Sequence, residues 1–136
     1  MTASETTRQK LLTVVKAFHA AKFPTYSVNY PNKWVTDTEK EMDPFVSVEF
    51  SLEPQHMSMR ASKCLRITGD LVCNFFVREG TGSKQSTTYT DEMHDYLGLQ
   101  VQEGITFWEV KPFNNRNIKG FDGTMNTVRF EIEYFN

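Results

Sequence analysis

A long alternating segment, followed by a glycine turn and a helical pattern, is the feature that most constrains the fold of this chain. Every second position from residue 65 to residue 77 belongs to a row of Leu65, Ile67, Gly69, Leu71, Cys73, Phe75 and Val77. The positions between them are mostly polar and include Arg66, Thr68, Asp70, Asn74 and Arg78. A period of two predicts a β-strand that has one face in a hydrophobic core.

The period changes after the turn at Gly80, Thr81 and Gly82. The residues that then share one face of a helix are Tyr89, Met93, Tyr96 and Leu97. Gly98 follows, and we expect it to be a left-handed cap at the end of this helix. A strand that leads into a helix through a glycine turn is therefore the predicted scaffold.

A first helix is predicted at the N-terminus. Thr2 and Glu5 have the spacing of a capping box, and Pro24 ends the helix at or before Phe23. Its apolar stripe consists of Leu11, Leu12, Val14, Val15, Phe18 and Ala21.

Further strands are predicted at residues 26–30, 44–52, 105–110 and 126–135, with a weak strand or strand extension at 56–60. In the second of these, the inward residues are Val46, Val48, Phe50 and Leu52. Residues 53–55 contain Pro54 and are predicted to turn the chain, and residues 33–43 and 111–123 are predicted to be long polar loops. The sequence thus predicts a single α+β domain over residues 1–136, with a mainly antiparallel twisted sheet and both helices packed on one face.

Composition excludes several classes of function. With 15 Lys and Arg against 17 Asp and Glu, the chain has no general basic surface for nucleic acid or membranes. No apolar run is long enough to span a bilayer, and residues 1–5 have no signal-peptide pattern, so we expect neither membrane insertion nor secretion. Cys64 and Cys73 would lie about 30 Å apart on an extended strand, so reduced thiols are expected.

No catalytic or cofactor motif is complete. The turn Gly80-Thr81-Gly82-Ser83-Lys84 lacks the spacing of both a dinucleotide fingerprint and a Walker loop. His94, close to Asp91 and Glu92, could form a general-base pair, but a solvated helix face is the preferred interpretation. Neither cysteine has metal-ligand spacing with a histidine. We therefore expect no enzymatic activity, no cofactor and no bound metal.

The predicted loops hold the candidate interaction residues. Phe113 and Phe121 alternate with the basic residues Arg116 and Lys119 in the second long loop, and Trp34 lies in the first. Basic and aromatic residues together can bind nucleic acid, but we prefer a solvated hairpin tip or a docking arm for a protein partner. These five residues are the predicted protein interface, and no sequence feature assigns them to particular partners.

The layout as a whole resembles the tail terminator, or tail completion, proteins of long, non-contractile-tailed bacteriophages. The matching parts are the short N-terminal helix, the Pro-Phe-Val-Ser-Val strand at residues 44–48, the pattern Arg66-x-x-Gly69-x-Leu71-Val72, the glycine turn with its helix, and the alternating strand at residues 128–134. Residues 66–89 carry most of the likeness. The second helix departs from the family, which usually has more alanine and aliphatic residues than Ser-Thr-Thr-Tyr-Thr at residues 86–90.

The resemblance implies a non-enzymatic virion subunit that forms a hexameric ring at the head-proximal end of the tail. Such a ring caps the major tail-tube protein, halts its polymerisation and presents a joining surface to the head-completion or connector protein. DNA crosses its lumen without sequence-specific binding, and assembly takes place in the host bacterial cytoplasm. The alternatives are a head-closure or neck connector subunit, and a small ligand-binding or enzymatic α+β domain that uses His94 as a base.

Overall fold

The computed structural model describes residues 2–31, 44–58, 63–118 and 120–135, and of residues 55–58, 63, 64, 115–118 and 135 it describes the backbone alone. The elements in chain order are α1 (Ala3–Lys22), β1 (Ser27–Asn29), β2 (Phe45–Ser58), β3 (Lys63–Arg78), α2 (Lys84–Leu97), β4 (Val101–Gln102), β5 (Ile105–Ile118) and β6 (Phe121–Phe135). The long loop predicted at residues 33–43 lies outside the described residues.

The strands form one six-stranded sheet in the order β1-β2-β3-β6-β5-β4. Only β1 and β2 pair in parallel, and every other neighbouring pair is antiparallel. Buried residues of α1 and α2 belong to the same hydrophobic cluster as the alternating row of β3, so both helices cover one face of the sheet. The predicted α+β class, with a mainly antiparallel sheet and two helices on one face, is confirmed.

The core lies between the helices and this face of the sheet. Ile67, Leu71 and Phe75 of β3 are fully buried, as are Phe18 of α1 and Tyr89 of α2. Burial of each such side chain contributes about 1.5–3 kcal/mol. The period-two row therefore supplies the sheet side of the core, as predicted.

Gly69 belongs to this row because no side chain fits there. A Cβ atom at residue 69 would overlap the carbonyl oxygen of Ser51 on β2 and would lie 3.1 Å from the ring of Phe130 on β6. The absence of a Cβ thus permits the close approach of β2 and β3 at this point.

The N-terminal helix begins and ends where the sequence predicts. The Thr2 hydroxyl accepts a hydrogen bond from the backbone N–H of Glu5 at 3.2 Å, and the Glu5 carboxylate accepts one from the backbone N–H of Thr2 at 3.3 Å. This reciprocal capping box satisfies two backbone donors that a helix start otherwise leaves free. The helix ends at Lys22, two residues before Pro24.

The prediction of a turn at residues 53–55 is wrong. β2 continues through Pro54, which pairs with Ile67 of β3, and ends at Ser58. A proline is tolerated there because β1 pairs with β2 only as far as Ser47, so that the rest of β2 is an edge strand in the described part of the sheet. The weak strand predicted from residue 56 is the continuation of β2.

The prediction of a long polar loop at residues 111–123 is also wrong. These residues form the connected ends of β5 and β6, which pair with each other as a hairpin. The last pair of this hairpin is Ile118 with Phe121, and its connected end is called the arm here. Gly120 in the connection has a φ of +88°, a left-handed conformation that glycine adopts without strain. Polar residues form strands here because β6 is paired with β3 on one side and with β5 on the other, so backbone pairing holds both strands.

Gly98 is not a left-handed cap. Its φ is −62° and its ψ is 133°, and the following Leu99 takes the positive φ instead. The reason for glycine is steric, because a Cβ at residue 98 would lie 2.5 Å from the Nδ1 atom of His94. The helix face predicted from Tyr89, Met93 and Leu97 is buried as expected.

Candidate functional site

The face of the sheet opposite the helices, called here the helix-free face, carries a small aromatic cluster next to the connection between β5 and β6. Phe45 and Phe76 stack with ring centroids 4.8 Å apart, and Phe121 meets Phe45 edge to face at 5.1 Å. Phe121 is only 7% exposed, so its ring anchors the arm to the sheet rather than presenting surface to a partner. This cluster is not apparent in the sequence because its three residues lie on three different strands.

The structure places the predicted interface residues unevenly. Phe113 lies on β5, faces the helix-free side opposite Met125 and is 54% exposed. Arg116 lies further along β5, opposite Gly123, and its side chain is outside the described part of the chain. Trp34 and Lys119 are also outside the described residues. Phe113, Arg116 and Phe121 thus share one hairpin arm.

Large apolar side chains are exposed along the β4–β5 side of the sheet. They are Leu99 at 67%, Val101 at 65%, Trp108 at 40% and Phe113 at 54%. Trp108 was not singled out from the sequence, because in an alternating strand it reads as an ordinary outward position. β5 has a β-bulge at this position, and the bulge adds a second outward residue next to Trp108.

The bulge lies in β5 between Phe107 and Val110. Phe107 pairs with Phe130 and Val110 pairs with Val128, so that Trp108 and Glu109 together face the single residue Arg129. A bulge of this kind redirects side chains and bends the strand. It returns Val110 to the core and leaves both bulged residues available on the helix-free face.

An open groove of about 270 Å³ lies on this face, across β3, β6 and β5. Its lining residues are Asp70, Trp108, Glu109, Lys111, Thr127 and Arg129. Lys111 forms an exposed ion pair with Glu109 at 3.6 Å, and next to the groove Arg66 pairs with Glu131. The groove therefore combines an aromatic wall with charges of both signs, and it is not a predominantly basic surface.

Both long sides of the sheet have open strand edges within the described residues. β1 covers β2 only at residues 45–47, and β4 pairs with β5 only at Ile105 and Thr106. Two further hydrogen bonds extend the β4 side: the N–H of Leu99 donates to the carbonyl of Trp108, and the N–H of Phe107 donates to the carbonyl of Gln100. Beyond these points no described strand pairs with the outer side of β2 or β5, and a strand at the edge of a sheet can pair with another chain.

The titratable groups in the core form a closed polar cluster. The Nδ1–H of His19 donates to the carbonyl of Val15 at 2.9 Å, so its Nε2 accepts from the hydroxyl of Tyr89 at 2.8 Å. Burial lowers the pKa of His19 to about 4, although the hydrogen bond to Val15 opposes this shift. Burial raises the pKa of the Cys73 thiol to about 12, while its hydrogen bond with Tyr89 acts in the opposite direction. This thiol is free and in its unreactive protonated form.

The general-base pair considered for His94 is not assembled. His94 Nδ1 accepts a hydrogen bond from the backbone N–H of Val110 at 3.4 Å. The carboxylate of Glu92 instead bonds the ammonium of Lys22 on α1 at 3.3 Å. His94 thus links the end of α2 to β5, which is a structural role.

The described residues contain neither a metal-binding cluster nor a membrane-spanning helix. No group of three or more His, Cys, Asp or Glu side chains there is arranged to hold a metal ion. No helix within those residues combines the length and the apolar character needed to cross a bilayer.

Comparison with known proteins gives a fold and no family. No protein-family model matches the chain, and no curated protein is significantly similar to it. Eleven chains of solved structures match its fold. One of them, whose name states no function, superposes with a TM-score of 0.73 at 10% sequence identity and covers 100% of this chain and 99% of its own length. A likeness at that identity establishes a shared architecture over the full chain and leaves function open.

Proposed function

We propose that this chain is a structural subunit of a ring that caps the tail tube of a long, non-contractile-tailed bacteriophage, as a tail terminator. The observation that carries the proposal is that, among the described residues, the two sides of one sheet end in strands with little outer pairing. Different surfaces on the two sides of a subunit can join head to tail, and such contacts close into a ring when the rotation fits. The family resemblance supplies the hexameric ring number.

The end of the β5–β6 hairpin and the helix-free face suit contacts above and below a ring. In the hairpin β6 is paired with β3 as far as Phe121, and the outer strand β5 bears the exposed ring of Phe113. Exposed groups that a rigid scaffold holds in place commonly carry binding. We assign these contacts to the major tail-tube protein on one side and to the head-completion or connector protein on the other.

The charge pattern supports a passive role toward DNA. The helix-free face pairs acidic with basic residues, as in Arg66 with Glu131 and Glu109 with Lys111. Specific and non-specific DNA binding both depend on an excess of cations at the phosphates. In this proposal DNA passes through the lumen without sequence-specific binding, and the protein resides in the virion at the head-proximal end of the tail.

The chain has no enzymatic role in this proposal. The engagement of His94 with Val110 and of Glu92 with Lys22 weakens the alternative in which His94 acts as a base. A head-closure or neck subunit remains the runner-up, since it would use the same ring-forming architecture. The two structural roles differ in the partner that they recognise, namely the tail tube or the head connector.

A polymerisation assay tests the terminator role. Purified tail-tube protein is allowed to polymerise with and without this protein, and growth is followed by light scattering. The proposal predicts that growth stops at a scattering plateau that falls as the ratio of this protein to tube protein rises. Unchanged growth at every ratio, together with binding to the head connector, would favour the neck subunit instead.

The basic residues of the arm provide a first variant. Arg116→Ala combined with Lys119→Ala should impair capping or head joining while the thermal unfolding midpoint stays unchanged, because the backbone of Arg116 lies near the end of the outer strand β5. The matched control is Lys10→Ala with Lys16→Ala on α1, where the same charge is removed from the helix side. Full capping and full infectivity of the arm variant would remove these two residues from the interface.

A further inference from the structure

The groove on the helix-free face contains two oppositely charged side chains that do not pair with each other. Asp70 of β3 and Arg129 of β6 are directly opposed in the sheet, and both line the groove. Neither side chain takes part in an ion pair or a hydrogen bond within the part of the chain that the structure describes. A carboxylate and a guanidinium therefore face the groove side by side, each able to bind a ligand group.

The other charges at the groove are already engaged. Lys111 and Glu109, which also line it, form an ion pair with each other at 3.6 Å, and Arg66 beside the groove pairs with Glu131. The lining residues thus include two acidic and two basic side chains and carry no net charge. A ligand with a net charge of one sign is attracted by one unpaired group and repelled by the other, whereas a ligand that carries both signs satisfies both.

Trp108 provides an aromatic wall next to this pair of charges. The β-bulge of β5 places Trp108 and Glu109 together opposite Arg129, so the indole and the guanidinium face the same groove. Trp108 is 40% exposed, which leaves part of its ring available for contact with an apolar or aromatic group. An aromatic wall with a few convergent polar groups is the usual make-up of a small-molecule site.

The spacing and the volume of the site indicate the kind of ligand. Directly opposed residues of antiparallel strands have Cβ atoms about 4.5–5.5 Å apart, so Asp70 and Arg129 can both be reached by charges that lie close together in one molecule. An α-amino acid carries its ammonium and its carboxylate on the same carbon atom, and its side chain leaves in a third direction. The groove volume of about 270 Å³ is at the small end for ligand sites and suits a molecule of this size.

We propose that the groove binds the zwitterion of a free α-amino acid with an apolar or aromatic side chain. The ligand carboxylate bonds the guanidinium of Arg129, the ligand ammonium bonds the carboxylate of Asp70, and the ligand side chain packs on Trp108. Hydrogen bonds between ionised groups of this kind are stronger than those between neutral groups. The inference goes beyond the terminator role and does not depend on it.

Tryptophan fluorescence measures binding at the groove. The chain has two tryptophans, so Trp34→Phe leaves Trp108 as the single emitter. This background protein is titrated with L-phenylalanine, and a saturable change in emission with a Kd of about 1 mM is expected for so small a ligand. L-Phenylalaninamide lacks the carboxylate and 3-phenylpropionate lacks the ammonium. Each should bind about tenfold more weakly than L-phenylalanine.

Two substitutions assign the two charges. Arg129→Gln should weaken the binding of L-phenylalanine about tenfold, so that it binds no better than L-phenylalaninamide. Asp70→Asn should have the corresponding effect, with L-phenylalanine binding no better than 3-phenylpropionate. The charge-matched controls are Lys84→Gln and Asp95→Asn on α2, which should bind like the background protein. Circular dichroism confirms that each variant is folded.

The proposal is overturned if L-phenylalanine gives no saturable change, or if it binds no more tightly than the two probes that lack one charge. Unchanged binding of L-phenylalanine in both Arg129→Gln and Asp70→Asn would also overturn it. D-Glucose provides the comparison with a neutral polyol of similar size. Saturable binding of D-glucose without binding of L-phenylalanine would identify a different ligand class and overturn the proposal.

Discussion

The buried histidine of α1 gives the sharpest test of the core. His19 is 4% exposed and is held between the carbonyl of Val15 and the hydroxyl of Tyr89. The perturbation is His19→Gln, which removes the titrating ring and keeps a polar side chain that can bond the hydroxyl. The quantity of interest is how the free energy of unfolding changes with pH in the wild type relative to this variant.

The expected magnitude follows from the lowered pKa of His19. Burial moves this pKa from 6.5 to about 4 in the folded protein. Between those pH values the unfolded chain binds a proton that the folded protein does not, so stability falls as the pH is lowered. At about 1.4 kcal/mol for each pH step, the loss is about 3 kcal/mol by pH 4. Above pH 6.5 the imidazole is neutral in both states and contributes no pH dependence.

The assay is urea unfolding of both proteins at pH 7.5, 6.5, 5.5, 4.5 and 4.0. The carboxylates titrate in both proteins, so the difference between the two stability curves isolates His19. We expect the wild type to lose about 3 kcal/mol relative to the variant between pH 7.5 and pH 4. Parallel curves over this range would refute the reasoning, because His19 would then be free to take up a proton in the folded state.

Three further substitutions test other parts of the fold by thermal or urea unfolding. Thr2→Ala removes one half of the capping box and should cost about 1 kcal/mol. Gly69→Ala should cost about 3 kcal/mol or more, because the added Cβ would overlap a backbone carbonyl of the neighbouring strand that cannot move aside. Thr68→Val should raise stability by about 1 kcal/mol, because the buried hydroxyl of Thr68 has no hydrogen-bond partner. A destabilised Thr68→Val, or a neutral Gly69→Ala, would show that the strand packing described here is wrong at that point.

The elements that the sequence predicted well are those in which local pattern and burial agree. The row around Leu71 is the buried face of a strand, and the bounds of the first helix are set by a capping box and by Pro24. Each of these signals is local. The period of the apolar residues and the buried face that they form are both visible in residues that are close together in the sequence.

The errors arise where long-range pairing overrides local preference. The local sequence predicts a turn at Pro54, but β2 continues through this proline because β2 is an edge strand there in the described part of the sheet. The polar residues after Lys111 were read as a loop, but backbone pairing with β6 keeps them extended. Neither the edge position nor the partner strand is visible in the local sequence, so propensity alone gives the wrong answer.

The candidate site was only partly predictable for the same reason. Phe113 was identified from an aromatic residue in a basic segment, and it is exposed. Phe121 was selected by the same rule, yet it is buried against Phe45 and Phe76, which approach it from other strands. Trp108 was missed because an outward position in a strand is ordinary, and the groove beside it is formed by residues of β3 and β6 that are distant in the sequence.

The central claim, a ring at the end of the tail tube, is tested most directly by electron microscopy of tubes assembled with this protein carrying a gold label. The account predicts tubes with a narrow length distribution and a ring-shaped, labelled density at one end. Tubes of unrestricted length without label at their ends, or with label distributed along their sides, would contradict it.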